Sequence, residues 1–410
     1  MAERLLVIAP HPDDEVLGAG GTMAKAAEAG DEVFVALLTS GDGFREDAAR
    51  YYLSLDVTPA EYLHMGYERQ HESRRALSTL GVPDTHIYFL GFPDGGLDAL
   101  WLTHWTDPPW HSPTTERCAV PYLTAWREGK DYTGRTLVRL LMDLYREIRP
   151  TRLIMPSAYD THPDHWGTNA FATLAWAELA REDRAWEQVT RWGYLVHWPL
   201  WPLPLAYRPA MAAEPPVGLR ALGQEPWHQE WLGPRLARKK RDSLMVFESQ
   251  VELIKPYMLA FCRQSEVFAV ESHWLPLEDS EGMRVQNPEI DWLTRHLVRT
   301  NPLAQAVWAR TAERDAVRIS FHRPPREDTV IEVSVHPVDG THRHFLWRLT
   351  RQGPLQGDLS VTWNAREVVV EWEPQWFRPA RTVMAGVQWY DKEKCEGKLP
   401  FRVMSWRGWT

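Results

Sequence analysis

Two short clusters dominate the chemistry this chain can perform. Pro10-His11-Pro12-Asp13-Asp14-Glu15 sets one imidazole and three carboxylates side by side on a backbone stiffened by prolines. Burying that much charge without a cation or an ionic partner is costly, and a divalent metal resolves the cost. A turn followed by a helix accounts for part of the pattern: Asp13 or Asp14 can cap the helix, and its dipole favours Glu15 near the first turn. It does not account for His11. His162-Pro163-Asp164-His165 brings a second His/Asp cluster mid-chain. A catalytic zinc takes three protein ligands and leaves a fourth position for water, so His11, one Asp and one His of the second cluster suffice.

The elements around both clusters suit such a site. Leu5–Ala9 is a continuously apolar run, as in a strand buried on both faces of a parallel sheet, and the first cluster follows it directly. Leu17–Ala29 reads as a helix and Glu32–Thr39 as the next strand. Arg69–Gly81 is helical with a glycine stop. His86–Leu90, the amphipathic helix Thr136–Ile148, the strand Arg152–Pro156 and the helix Gly167–Arg181 continue the alternation, and the second cluster follows the strand ending at Pro156. The pattern predicts an α/β domain, Rossmann-like, with three layers and a mostly parallel sheet. Ligands in such sheets bind beyond the carboxyl ends of the strands, where both clusters fall.

Residues 196–234 hold eight prolines together with Trp198, Trp201, Trp227 and Trp231, and are expected to form an irregular loop packed over the domain. Arg235–Phe261 reads as one helix, whose Arg-Lys-Lys-Arg run at 238–241 is expected to be a solvated face. Six short alternating segments follow: Ala316–His322, Thr329–His336, His344–Thr350, Asp358–Trp363, Glu367–Trp372 and Val383–Tyr390. They predict an all-β, sandwich-like C-terminal domain. The expected division is 1–275, a connecting segment at 276–305, and an accessory β domain at 306–410.

Composition excludes several roles. With 46 basic against 55 acidic side chains, the net charge of −9 argues against gripping nucleic acid. No run approaches the roughly 18 apolar residues of a membrane span, and no secretory signal is visible, which predicts a cytoplasmic protein. Cys118, Cys262 and Cys395 form neither a disulfide framework nor a metal knuckle. The 22 tryptophans serve core packing first, although indole faces also suit sugar rings. Gly18-Ala19-Gly20-Gly21 lacks dinucleotide-binding spacing.

The paired clusters resemble the LmbE-like or PIG-L superfamily of zinc-dependent de-N-acetylases. Arg69, Glu72, Ala76, Leu80 and Gly81 are similar to that family's Arg-x-x-Glu helix, Leu90–Gly95 (LGFPDG) to its turn, and Ser249-Gln250 to its closing helix. The resemblance spans about residues 1–275. It implies His11, Asp14 and His165 as ligands of zinc, with ferrous iron (Fe2+) as the alternative. It implies Asp13 as general base and His162, when protonated, as oxyanion stabiliser, with Arg69 and Asp94 holding substrate. Glu15 and Asp164 are expected to support these groups from behind. The implied reaction removes an N-acetyl group from an N-acetylglucosamine-type sugar or glycoconjugate, and a homo-oligomer is compatible with it. Two rivals are an amidase for a larger thiol-sugar conjugate and an inactive carbohydrate-binding protein. Tyr159, Asp160 and Asp42 are weaker candidates; His64, His71 and His104 are expected to be ordinary surface or helix histidines. The pocket walls are expected from loops at 43–68 and 98–132, with Trp101, Trp105, Trp110 and Trp126 bordering the substrate entrance.

Overall fold

The computed structural model describes residues 2–271, 275–277, 282–288, 301–310, 314–355, 359–373, 380–391 and 394–406. The chain divides into two units. One comprises 1–176, 185–216 and 226–271; the other comprises 177–184, 217–225 and 272–410.

In the first unit, β1 (Arg4–Ala9), α1 (Asp14–Ala29), β2 (Glu32–Thr39), α2 (Arg45–Tyr51), α3 (Pro59–Leu80) and β3 (Ile87–Phe92) come first. They are followed by α4 (Leu97–Leu102), α5 (Gly134–Ile148), β4 (Arg152–Pro156), α6 (Pro163–Glu182) and β5 (Thr190–Tyr194). The short α7 (Val217–Leu222) falls in the second unit. The first unit closes with β6 (Trp227–Trp231), α8 (Gly233–Leu244), α9 (Glu248–Ala260) and β7 (Ser265–Val270). The sheet runs β3-β2-β1-β4-β5-β7-β6, with β3 to β5 parallel and β7 antiparallel to both of its neighbours, β5 and β6. After β1 the chain builds outward on one side and returns through β4 on the other. A crevice therefore opens beyond the carboxyl ends of β1 and β4, where strand order reverses. This is the α/β fold the alternating pattern predicts.

Burial explains the pattern. Leu5–Ala9 of β1 is at most 2% exposed, so a continuous apolar run was the correct sign of a strand covered on both faces. In α5, Leu137, Val138, Leu141, Leu144, Tyr145 and Ile148 share the buried stripe of a 3.6-residue period. The helix expected at Arg69–Gly81 begins ten residues earlier. Thr58 and Glu61 form a capping box with Pro59 at the first helical position, a Thr-Pro-Ala-Glu signal legible in the sequence. The expected wall loop at 43–68 is thus largely helical, in α2 and the start of α3.

Three further expectations need correction. The proline-rich stretch 196–234 contains α7 and β6. The helix expected over Arg235–Phe261 breaks into α8 and α9 at Met245–Phe247. Lys240, in the supposedly solvated basic run, is 1% exposed, while Arg238 points outward. Lys240 Nζ donates to Leu17 O at 2.7 Å and Glu266 Oε1 at 2.6 Å, and Glu266 also accepts from Gly21 N, Thr22 N and Thr22 Oγ1. The pair clamps α8 and β7 onto α1. Cutting one partner of a buried ion pair leaves an uncompensated charge, at a cost of about 3–5 kcal/mol. Lys240→Met is therefore expected to lower the unfolding free energy by about 3 kcal/mol or more, read by urea denaturation; an unchanged midpoint would contradict the clamp.

The second unit is a β-sandwich. Five strands, in spatial order Ser360–Trp363, Glu367–Trp372, Asp315–Phe321, Leu303–Arg310 and Met283–Gln286, form one sheet. The other sheet has six: Gly353–Pro354, Phe345–Thr350, Thr329–Pro337, Thr382–Asp391, Lys394–Trp406 and Leu275–Leu277. All pairs are antiparallel except the last. A shared core from both sheets contains Trp308, Trp347, Trp372 and Trp389, with Trp363 packed against it, so these indoles serve packing. Trp376 and Trp409 lie outside the described residues, as do 278–281 and 289–300 of the expected connecting segment. Among the described residues, no helix is long and apolar enough to cross a membrane.

Candidate active site

The two clusters meet at the crevice. The turn after β1 delivers His11, Asp13 and Asp14. His162 and His165 come from the turn after β4 and the start of α6. Asp13 sits at φ 113°, a positive value few non-glycine residues adopt, and its side chain caps nothing. The helix-cap expectation therefore fails for Asp13. Strain of this kind persists where the surroundings over-determine it. Here Asp13 N–H donates to Glu15 Oε2 at 2.9 Å, and Ser73 Oγ donates to Glu15 Oε1. Glu15 is fully buried, and burial pushes its carboxyl up to about 8.

Three atoms converge. Asp14 Oδ2 lies 2.9 Å from His11 Nδ1 and 3.0 Å from His165 Nε2. His165 Nε2 is buried and makes no hydrogen bond, although the oxygen is close. The far nitrogen of each ring faces carboxylates: His11 Nε2 is 3.0 Å from Asp164 Oδ2 and 3.1 Å from Asp94 Oδ1, and His165 Nδ1 is 3.3 Å from Asp160 Oδ2. Metal-ligating histidines characteristically hand their other nitrogen to a carboxylate. Burial lowers the proton affinity of both rings, but the carboxylates override it, holding His11 well above its ordinary pKa and His165 up at about 9. Asp14 is likewise disfavoured by burial, yet His165 and His11 hold it well below the carboxylate range. Without a cation, protons balance this cluster; a divalent cation displaces protons from its ligands. The donor set fits zinc or ferrous iron. A second grouping, His11, His162 and Asp164, is also close enough to hold a metal. Asp164 is committed elsewhere, however, accepting from Gly95 N at 2.7 Å and Leu97 N at 2.9 Å.

Burial and then the charge of Asp14 raise Asp13 well above the carboxylate range, only partly countered by Arg69 at 3.5 Å. His162 is driven down to about 4 by burial and by its neighbours His11 and His165. Its Nδ1 accepts from Asp164 N at 3.2 Å, which leaves Nε2 to carry the hydrogen of a neutral ring. With its neighbours His11 and His165 protonated, His162 is thus a neutral ring that can donate from Nε2.

Arg69 and Asp94 both line the cavity, which has a volume of about 390 Å³. Both are also engaged within the fold. Arg69 donates to Gly41 O at 2.9 Å and Pro12 O at 2.8 Å. Its guanidinium lies so close over Gly41 that a Cβ there would stand 2.2 Å from Nη1. Asp94 Oδ2 accepts from Gly43 N at 2.7 Å. Of the weaker candidates, Asp160 is buried and accepts from three backbone N–H groups, of His162, Val196 and His197. Asp42 accepts from Tyr122 and does not line the cavity; nor does Tyr159. None of the four expected entrance tryptophans lines it. Trp101 and Trp105 pack against each other and Phe171 in the core, Trp110 covers Gly96, and Trp126 meets Tyr88.

Residues 6–176 match the PIG-L family, described as GlcNAc-PI de-N-acetylase. Over this segment the chain is similar to that family. Among curated relatives, 1D-myo-inositol 2-acetamido-2-deoxy-alpha-D-glucopyranoside deacetylase 1 of Catenulispora acidiphila is 31% identical over 198 residues, covering 44% of this chain and 50% of the relative. The corresponding deacetylase of a Mycobacterium species (strain KMS) is 32% identical over 177 residues, covering 43% and 50%. The aligned part spans about half the length of these relatives. Among solved structures, N,N'-diacetylchitobiose deacetylase from Pyrococcus horikoshii aligns at 20% identity with a TM-score of 0.41, covering 66% of this chain and 85% of that one.

The PIG-L match ends about a hundred residues before the limit of 275 that the resemblance suggested, and five cavity residues lie beyond it: Val196, His197, Gln250, Ile254 and Tyr257. His197 follows β5; its ring centroid is 4.9 Å from His162 and 4.6 Å from His165. Gln250, Ile254 and Tyr257 come from α9 at helical spacing. His197 carried no signal because the loop motif His-Trp-Pro has no second ligand beside it. The α9 residues were hidden because an expected helix says nothing about which face it turns to a site.

Proposed function

We propose that this chain is a metal-dependent hydrolase that removes the acetyl group from an N-acetylglucosamine-type sugar or glycoconjugate. The convergence of His11 Nδ1, Asp14 Oδ2 and His165 Nε2, with the Asp13 carboxyl next door, carries the reading. The names of the relatives, deacetylases of a GlcNAc–inositol glycoside, support the substrate class. His11, Asp14 and His165 would hold zinc, or ferrous iron in its place. Bound there, the cation supplies a Lewis acid that polarises the amide carbonyl and acidifies water.

The remaining work falls to the chain's own groups. Asp13, raised in pKa by burial and by Asp14, is suited to take a proton from attacking water and return it to the departing amine. Glu15 fixes the Asp13 backbone in its strained turn. His162, as the neutral Nε2–H tautomer, offers one donor to the oxygen that gains charge as the carbonyl becomes tetrahedral. Asp164 and Asp160 orient the imidazoles, and Arg69 ties the β1 turn to α3 while moderating the Asp13 charge. The products are acetate and a free amine.

The test pairs metal content with acetate release from N-acetylglucosamine and its glycosides, including the inositol glycoside. The expected result is about one tightly bound divalent ion per chain, with turnover that chelation stops and metal restores. Metal binding without acetate from any glycoside would sink the deacetylase reading.

A further inference from the structure

The walls of the cavity and its floor differ in chemistry. The floor carries the ionisable groups of the two clusters. Leu17, Phe44, Val196, Ile254 and Tyr257 make up most of the walls. Several of the polar groups in the lining are engaged within the fold. Arg69 donates to two backbone carbonyls, Asp94 accepts from Gly43 N, and Gln250 Nε2 donates to Asp47 Oδ2 at 2.7 Å. The Tyr257 hydroxyl donates to Val196 O at 2.7 Å, which turns that side chain's ring rather than its oxygen into the wall. A hydroxyl-bearing group packed against these apolar side chains would lose hydrogen bonds to water without replacement, and a carbon surface there would not.

The wall is also held in place. Ile254 has φ −125° and ψ 23°, outside helical values, and Pro256 follows it, so α9 is kinked where it meets the cavity. The N-terminal end of α9 is fastened by Ser249 N and Oγ to Glu72 and by Gln250 to Asp47. Beyond the kink, the Tyr257–Val196 bond fixes the second half. Both sides of the bend are thus anchored to the domain, with Ile254 between them. At about 390 Å³ the cavity falls within the usual range for binding a whole small molecule.

We infer that the cavity selects amides bearing an apolar alkyl or aryl group near the scissile bond, packed between Phe44 and the Ile254/Tyr257 face of α9. The inference rests on amide hydrolysis at this site. The apolar group can enter from the acyl side or as the aglycone of the sugar, and two substrate series separate these sources. One series runs from N-acetyl- through N-butanoyl- to N-hexanoylglucosamine; the other compares methyl and benzyl glycosides of N-acetylglucosamine.

In the series that reaches the wall, kcat/KM rises roughly fourfold for each methylene buried. Ile254→Asn flattens that rise, and a slope that survives the substitution counts against this wall. Affinities of the same compounds for metal-loaded Asp13→Asn, measured by calorimetry, keep the two readings apart. Affinity that climbs with the apolar group while the native chain cleaves nothing supports the apolar site and removes the deacetylase. Cleavage of N-acetylglucosamine with flat kcat/KM and flat affinity in both series overturns the apolar preference and leaves the deacetylase standing. Flat affinity without cleavage overturns both.

Discussion

Asp14→Ala is expected to abolish both metal retention and acetate release, the largest single loss available in this chain. Asp14 Oδ2 lies within 3.0 Å of both imidazole nitrogens, His11 Nδ1 and His165 Nε2. Removing it takes away the shared anionic corner of the donor set and leaves the half-buried His11 and the buried His165 with no carboxylate between them. The acidifying effect of a divalent cation on water spans many pKa units, so turnover should fall by more than about 10⁴-fold. Metal analysis of the purified variant and acetate release under saturating zinc check this. Retention of a full equivalent of metal would move the centre to the other grouping, His11, His162 and Asp164.

Asp13→Asn should separate catalysis from metal binding. Its carboxyl stands apart from the three converging atoms, beside Arg69. Metal content should therefore match the native chain while kcat falls by about 10²–10⁴-fold, the usual worth of a general base, with KM little changed. Asparagine is the apt replacement because it tolerates positive φ far better than most side chains, whereas alanine would add backbone strain at φ 113°. Native-like turnover in a metal-loaded Asp13→Asn chain would remove Asp13 from the base role and turn attention to His162 or His197.

Much of the architecture was legible because it depends on local rules. Leu5–Ala9, and Arg152–Pro156 after its first residue, read as strands buried on both faces, since a parallel sheet covered by helices hides short continuous apolar runs of this kind. The six expected C-terminal segments all appear as strands, with boundaries shifted by at most two residues and the expected start at Asp358 outside the described residues, because alternating burial writes a period of two into the chain. The start of α3 was missed although its capping box is local.

The errors share one cause. The basic run at 238–241 looked solvated because charge favours water, yet Lys240 is drawn inside by a carboxylate 26 residues away on β7. Trp101 and Trp105 looked available to a ligand because their segment is rich in turns, but Phe171 on α6 claims them. The low proton affinity of His162 is likewise invisible locally, because it comes from burial and from two other imidazoles that the tertiary arrangement sets beside it.

The sequence by itself determined which residues can do chemistry here. His11, Asp13, Asp14, His162 and His165 are named by residue type, by adjacency and by their place at strand ends, all local properties. Tertiary structure alone decided how those groups divide their work, because that depends on distances of about 3 Å between segments some 150 residues apart. It decided that Asp14 joins the two imidazoles, that Asp164 and Asp160 back them, and that a kinked α9 walls the cavity with carbon. A buried atom's partner is whichever group the fold brings within hydrogen-bonding reach, and no local pattern encodes that.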